Sequence, residues 1–369
     1  VTHQQTFDAL AQADGKSRYV PAEPYKELFD EQLDAFKRWM TKLANMFWPG
    51  KQLPIYVDYI DDGTFNAWAA VYEKVGFVGL NKGAVLLPFE MFARHFSHPR
   101  TLLLIGNAEL EQIGPQHSEG MATNYDQLVV KRIADNRPIL ATPPNDFTRK
   151  VASNLCMFAV WEFLAFHELT HILHGHCDYW QIAGKHKALL EVAGDPSENR
   201  GQHMLRQAIE TYADSSAVSV TLSHVLGPRK MQPGNDFTNR HRLYLWCYAI
   251  FGLFRIWGFT METPTRKLDE SDYPPTTMRY MMAMDTAKLH VQQYFPALYG
   301  DFDADCNRAE VDFDNDLMAV GGLSLLPSAV EGATGIASQL HMNWILQIMR
   351  ETLAPALVPH HYLKIDPPQ

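Results

Sequence analysis

Residues 154–176 read NLCMFAVWEFLAFHELTHILHGH, and this stretch decides how the chain folds. It is apolar on most faces of a helix, so it predicts a long central helix that starts near Asp146 or Ser153 and runs to about His176. Within it His167 and His171 stand at i and i+4, one turn apart on the same face, where two imidazoles can share one tetrahedral ion. Glu168 follows the first histidine directly. From that position a carboxylate reaches a water at the metal without being a ligand, which is what a general base requires. HExxH does not decide the matter alone, because a shuffled chain of this composition contains it about once in 25 cases.

A catalytic zinc takes three protein ligands and leaves one position open. The case therefore turns on a third donor. Residues 208–214, AIETYAD, fall in a second predicted helix spanning about 202–224, and they place Glu210 and Asp214 at i and i+4. One carboxylate can bind the metal while the other accepts the remaining N–H of a ligand imidazole and so fixes its tautomer. An exposed acidic face is the alternative reading of the same pair.

Outward from these helices, Leu28, Phe29, Leu33, Phe36, Met40, Leu43 and Phe47 recur at helical spacing, predicting a helix over 25–48 that Pro49 and Gly50 stop. Three β-like runs at 54–60, 65–72 and 76–83 predict a small antiparallel sheet. Residues 106–145 are polar and read as a long connection able to cover a cleft. The run 243–254, LYLWCYAIFGLF, lies between Arg242 and Arg255 and is too short to span a bilayer, so it reads as a buried helix. Helices are expected at 243–259, 276–290 and 330–354. The fold class expected is α+β, with a small antiparallel N-terminal sheet beside the HExxH helix and a mainly helical C-terminal half.

With 369 residues the chain exceeds the usual limit of one core, which predicts one domain of two lobes or two closely packed domains. The division expected is an N-terminal helical extension over 1–50, the core over 51–290 and a C-terminal helical extension over 291–369. Composition is globular, at 46% hydrophobic and 20% charged residues. A net charge of −10 with no basic stripe argues against nucleic acid as a partner. Cys156, Cys177, Cys247 and Cys306 form no CxxC pair, and at least two sit in apolar helical runs where free thiols pack as small hydrophobes, which fits a reducing, cytoplasmic setting. The start shows no signal peptide, and its lack of Met leaves room for a removed upstream segment.

HELTHILHGH followed by ETYAD resembles the gluzincin metallopeptidases, in the branch that includes the heat-shock protease HtpX and the CAAX prenyl endopeptidases. Residues 65–87, FNAWAAVYEKVGFVGLNKGAVLL, resemble that family's edge strand and the strand after it, and SDYPPTTMRYMMAM at 271–284 resembles its HPPxxxR segment. The four blocks keep the family's order. The resemblance implies a zincin-like core with one Zn2+ ion held by His167, His171 and Glu210, Glu168 as the base, and Asp214 behind a ligand. It also implies that Asn66, Ala67, Trp68 and Ala69 line the substrate cleft, where the unpaired N–H and C=O groups of an edge strand can bind an extended peptide. The family commonly has His before Pro-Pro where this chain has Tyr273, whose phenol can donate to an oxyanion. Arg279 matches the family's arginine and could serve the same charge or orient an acidic neighbour. The layout, with ADSSA at 213–217, is also similar to the phage-exclusion peptidases, cytoplasmic bacterial enzymes.

The function this implies is zinc-dependent hydrolysis of a peptide or protein substrate, in one version by a defence or toxin peptidase with a narrow target. The alternative is a catalytically silent, zinc-stabilised peptide-binding or scaffold protein, marked by a fourth protein ligand such as His176. Other signals are weaker. His174 and His176 read as a polar cap where the helix ends at Gly175, and His117 and Glu119 as surface loop. Residues 301–312 open like a calcium loop but have Cys306 where Gly is needed and Asp312 where Glu is needed, so they read as a solvated acidic loop. Gly15-Lys16-Ser17 lacks the upstream glycine of a phosphate loop.

Overall fold

Thr2 and Gln5 cap one another's backbone to start α1 (His3–Ala13), and the amphipathic α2 (Lys26–Phe47) follows where the apolar spacing predicts it. The computed structural model describes residues 1–21, 23, 25–47, 53–114, 117, 142–182, 189–190, 200–227, 237–261, 273–320 and 336–358. Next come β1 (Ile55–Ile60), β2 (Ala67–Tyr72) and β3 (Val75–Asn81), then α3 (Lys82–Ser97), which was not anticipated.

The sheet is mixed, a correction to the antiparallel expectation. β2 and β3 form an antiparallel hairpin whose two turn residues, Glu73 and Lys74, both have positive φ, 48° and 62°, as a two-residue type I′ turn needs. β1 does not pair with β2; it lies parallel to β3 on its other side. The cause is the connection between them. Asp62 Oδ1 accepts the backbone N–H and the hydroxyl of Thr64, both at 2.8 Å, and Asp62 O accepts Gly83 N–H at 3.1 Å. The chain is thereby held at the start of α3 and passes to the far side of β3 instead of turning back on β1. Alternation then divides the faces: Val57, Tyr59, Ala67, Ala69, Val78 and Leu80 join the main core, while Trp68, Ala70 and Phe77 pack with Phe7 and Ala11 of α1. Gly79 is required opposite Trp68, since a Cβ there would stand 2.3 Å from the indole.

The central helix is α4 (Phe147–Leu173), capped by Asp146, whose carboxylate accepts Arg149 N–H at 2.9 Å. Arg149 is fully buried and donates to the carbonyls of Phe96, His98, Thr101, Leu102 and Ile105 at 2.7–3.1 Å. It thereby ties the turns after α3 to the first turn of α4. Every residue from 159 to 173 is buried. The helix ends at Gly175, which takes φ +73°, and α5 (His176–Ile182) starts at once.

After the two-residue β4 (Leu189–Leu190) come α6 (Arg200–Leu226), α7 (Asn239–Met261), α8 (Thr276–Tyr294), α9 (Pro296–Tyr299) and α10 (Phe302–Ala319). α11 (Ile336–Ile348), a π turn (Met349–Leu353) and α12 (Ala354–Leu357) close the described chain. The class is α+β and mostly helical. α4 packs against α2, α3, α6, α7 and β2, so the HExxH segment lies deep in the molecule. The apolar run in α7 is buried as expected, and no described helix is long and apolar enough to cross a membrane. Residues 301–312 are a correction: they form helix, not a solvated loop. Asp301 and Asp305 take Arg240 of α7 at 3.1 and 2.9 Å, which uses the acidic pattern to join two helices. Of the polar connection over 106–145, residues 118–141, including Glu119, lie outside the described residues.

Candidate metal centre

α4 and α6 pack side by side, and their facing turns bring three candidate ligands to one point. His167 Nε2 lies 3.1 Å from His171 Nε2 and 3.2 Å from Glu210 Oε2, with Glu210 Oε1 at 3.7 Å from His171 Nε2. One ligand atom from each lies within 4.8 Å of the others, and all three residues are buried, so the group could hold a metal ion. Two imidazole nitrogens and a carboxylate oxygen suit a first-row divalent cation. Glu168, 1% exposed, follows His167 on the same turn.

Each imidazole is also held from behind. His167 Nδ1 is 2.9 Å from Asp214 Oδ1. Arg279, on the first turn of α8, donates Nε to Asp214 Oδ2 at 2.8 Å and Nη2 to Oδ1 at 2.9 Å. The guanidinium carbon lies 4.4 Å from the centroid of Trp257 and 5.6 Å from that of Tyr273. Aromatic faces thus fix the arginine that fixes the aspartate. His171 meets His176 through Nδ1 on each ring, 3.0 Å apart. A proton on His171 Nδ1 donated to His176 leaves the His171 Nε2 lone pair aimed at the shared point.

Charge follows from this packing. Burial opposes a charged His167, but Asp214 and Glu210 outweigh it and hold its pKa well above the ordinary value. Burial pushes His171 down to about 4, against Glu210. For Glu210 burial acts upward, yet His171, His167 and Arg279 hold the carboxyl below its usual range. Asp214 is likewise lowered against its burial, by Arg279 and His167. The two buried carboxylates thus face Arg279 and His167, and a divalent cation at the shared point would add to the charge that balances them.

The structure brings together His167, His171, Glu210, Asp214 and Arg279, and it places Tyr273 against Arg279. Arg279 lies on the aspartate, the orienting one of the two roles its position allowed. Residues 66–69 are different. The free side of β2 is not an open edge: Leu190 and Leu189 pair antiparallel with Trp68 and Ala69. This corrects the expectation of unpaired groups at those two positions, and the Trp68 side chain packs on Phe7 across the sheet, 5.2 Å between rings. His117 is half-buried, with Nε2 3.1 Å from Ser97 Oγ and Nδ1 accepting Gly114 N–H at 3.0 Å, so it braces a turn. His176 is not placed as a fourth ligand, because it faces the far nitrogen of His171. Two residues escaped the sequence reading: His176 as the partner of His171, and Trp257 beneath Arg279. For Trp257 the apolar spacing signalled burial alone.

Among known proteins the chain matches no family model, no curated protein and no solved structure. Its class therefore rests on what the geometry defines: an α+β chain with a buried His–His–Glu group able to hold a metal ion.

Proposed function

We propose that this chain is a zinc-dependent peptidase of the gluzincin type, with a zincin-like core and Glu168 as its general base. The observation that carries the reading is the convergence of His167 Nε2, His171 Nε2 and Glu210, each imidazole with its own partner behind it. A metal site needs such support to keep its ligands oriented. Bound zinc would supply Lewis-acid polarisation of the scissile carbonyl and acidify the attacking water. With a metal held there, Glu168 would be the residue that takes a proton from the attacking water and passes it to the leaving amine. Asp214, held by Arg279, keeps the His167 ring in register, and the resemblance gives Tyr273, whose ring lies against Arg279, the role of donor to the oxyanion. Because His176 meets His171 at Nδ1, the nitrogen away from the shared point, a metal held there would keep room for water and substrate, which supports hydrolysis over a structural metal.

The test is cleavage of an unstructured protein such as casein by zinc-loaded protein, with and without a chelator. Chelator-sensitive cleavage is expected, and Glu168→Gln should keep one zinc while losing about 10²–10⁴-fold in rate. Undiminished cleavage by the metal-replete variant would overturn the assignment. A protein that leaves casein intact but cuts one target would fit the narrow defence or toxin version of the same chemistry.

A further inference from the structure

Away from the metal centre, where α7 lies against α10, Cys247 and Cys306 face one another with their sulfurs 3.1 Å apart. Cys247 is fully buried, whereas Cys306 is 5% exposed and precedes the exposed Asn307 and Arg308. The two helices are already fastened around the pair: Arg240 holds Asp305 at 2.9 Å, Tyr244 donates to Asp312 at 2.6 Å and Tyr248 to Asp316 at 2.9 Å. A disulfide has its sulfurs about 2.05 Å apart, so bonding requires about 1 Å of closure between side chains on elements already in place. The other two cysteines are arranged differently. Cys156 donates to the Leu245 carbonyl at 3.5 Å, and Cys177 is buried on α5.

We propose that Cys247 and Cys306 form a redox modification site that closes to a reversible disulfide when the protein meets a peroxide. Cys306, the less buried of the two residues, attacks one peroxide oxygen; the O–O bond breaks, water leaves and a sulfenic acid forms. The Cys247 sulfur then attacks that sulfur, the S–S bond replaces the S–O bond, and the hydroxyl leaves as a second water with the Cys247 proton. Two thiols are oxidised by two electrons and one peroxide is reduced to two waters. The bond closes the chain between 247 and 306, a span that includes α8 and so Arg279. By closing that loop in the unfolded chain, oxidation should raise the melting temperature by about 5 °C.

The test uses the whole native protein, treated with hydrogen peroxide, then alkylated and digested without reduction. Expected are loss of two of the four thiols, one linked peptide pair containing Cys247 and Cys306, a higher melting temperature, and reversal of all three by dithiothreitol. Cys306→Ala should abolish the link. Four surviving thiols, a link through Cys156 or Cys177, or oxidation that stops on one sulfur would overturn the proposal. If the variant fails to fold, the peptide map of the unsubstituted protein still decides. None of these outcomes depends on whether the chain is a peptidase.

Discussion

Arg279 and Asp214, both 3% exposed or less, are joined by two hydrogen bonds that neither can replace from solvent. Arg279→Ala therefore leaves a buried carboxylate beside His167, a candidate ligand. The expected results are a loss of roughly 10–100-fold in zinc affinity, read by competition with a chromophoric chelator, and about 3–5 kcal/mol of stability, read by urea unfolding. Arg279→Lys should recover little, since an ammonium cannot reproduce the two-pronged contact. Unchanged affinity in both would show that Asp214 does not depend on this support. At this scale the sequence was informative where chemistry follows spacing: His167, His171, Glu210 and Asp214 all lie on helices, whose period fixes direction. His176 lies beyond Gly175, and only the left-handed turn there swings its ring back onto His171. Proximity in sequence did not carry that direction.

Arg149 shows what element ends demand. With five carbonyls around one guanidinium and Glu111 at 3.7 Å, it replaces the capping that the turns after α3 would otherwise need. Arg149→Met keeps much of the volume and strands those acceptors. We expect a cost of about 3–5 kcal/mol in urea unfolding, and a cost under about 1 kcal/mol would contradict the role given to it. Helix α2 was legible from its apolar period and α4 from a long run that is apolar on most faces, and α6, α7 and α8 form near where helices were expected. Strand order was not, because a period of two marks a strand but not its neighbour, and the partnering of β1 was set by the Asp62 turn. α10 was hidden by its acidic residues, which resemble a metal loop and instead serve Arg240.

Across the whole molecule, a second buried polar line joins three elements: His95 Nδ1 lies 2.7 Å from Tyr248 Oη, which donates to Asp316 at 2.9 Å, and Asp316 also accepts Leu102 N–H at 3.2 Å. Burial raises the Asp316 carboxyl to about 7, against those hydrogen bonds. In the unfolded chain it titrates near its ordinary 3.8, so the folded state holds the proton more tightly. Its contribution to stability is complete below that value and is lost as pH rises to about 7. About three units at about 1.4 kcal/mol each make this roughly 4 kcal/mol. Unfolding free energies of wild type and Asp316→Asn should therefore diverge in slope between pH 4 and 7, with the variant flatter; parallel curves would contradict it. Sequence gave no hint of this line, since its three members come from segments that meet only in the packed molecule.

The central claim is that one metal ion sits where α4 and α6 converge. Anomalous X-ray scattering at the zinc edge from crystals of zinc-loaded protein tests it directly. The account predicts a single strong peak between His167 Nε2, His171 Nε2 and the Glu210 carboxylate, with no fourth protein ligand. A zinc peak elsewhere with none at this point, or one coordinated by His176, would contradict it.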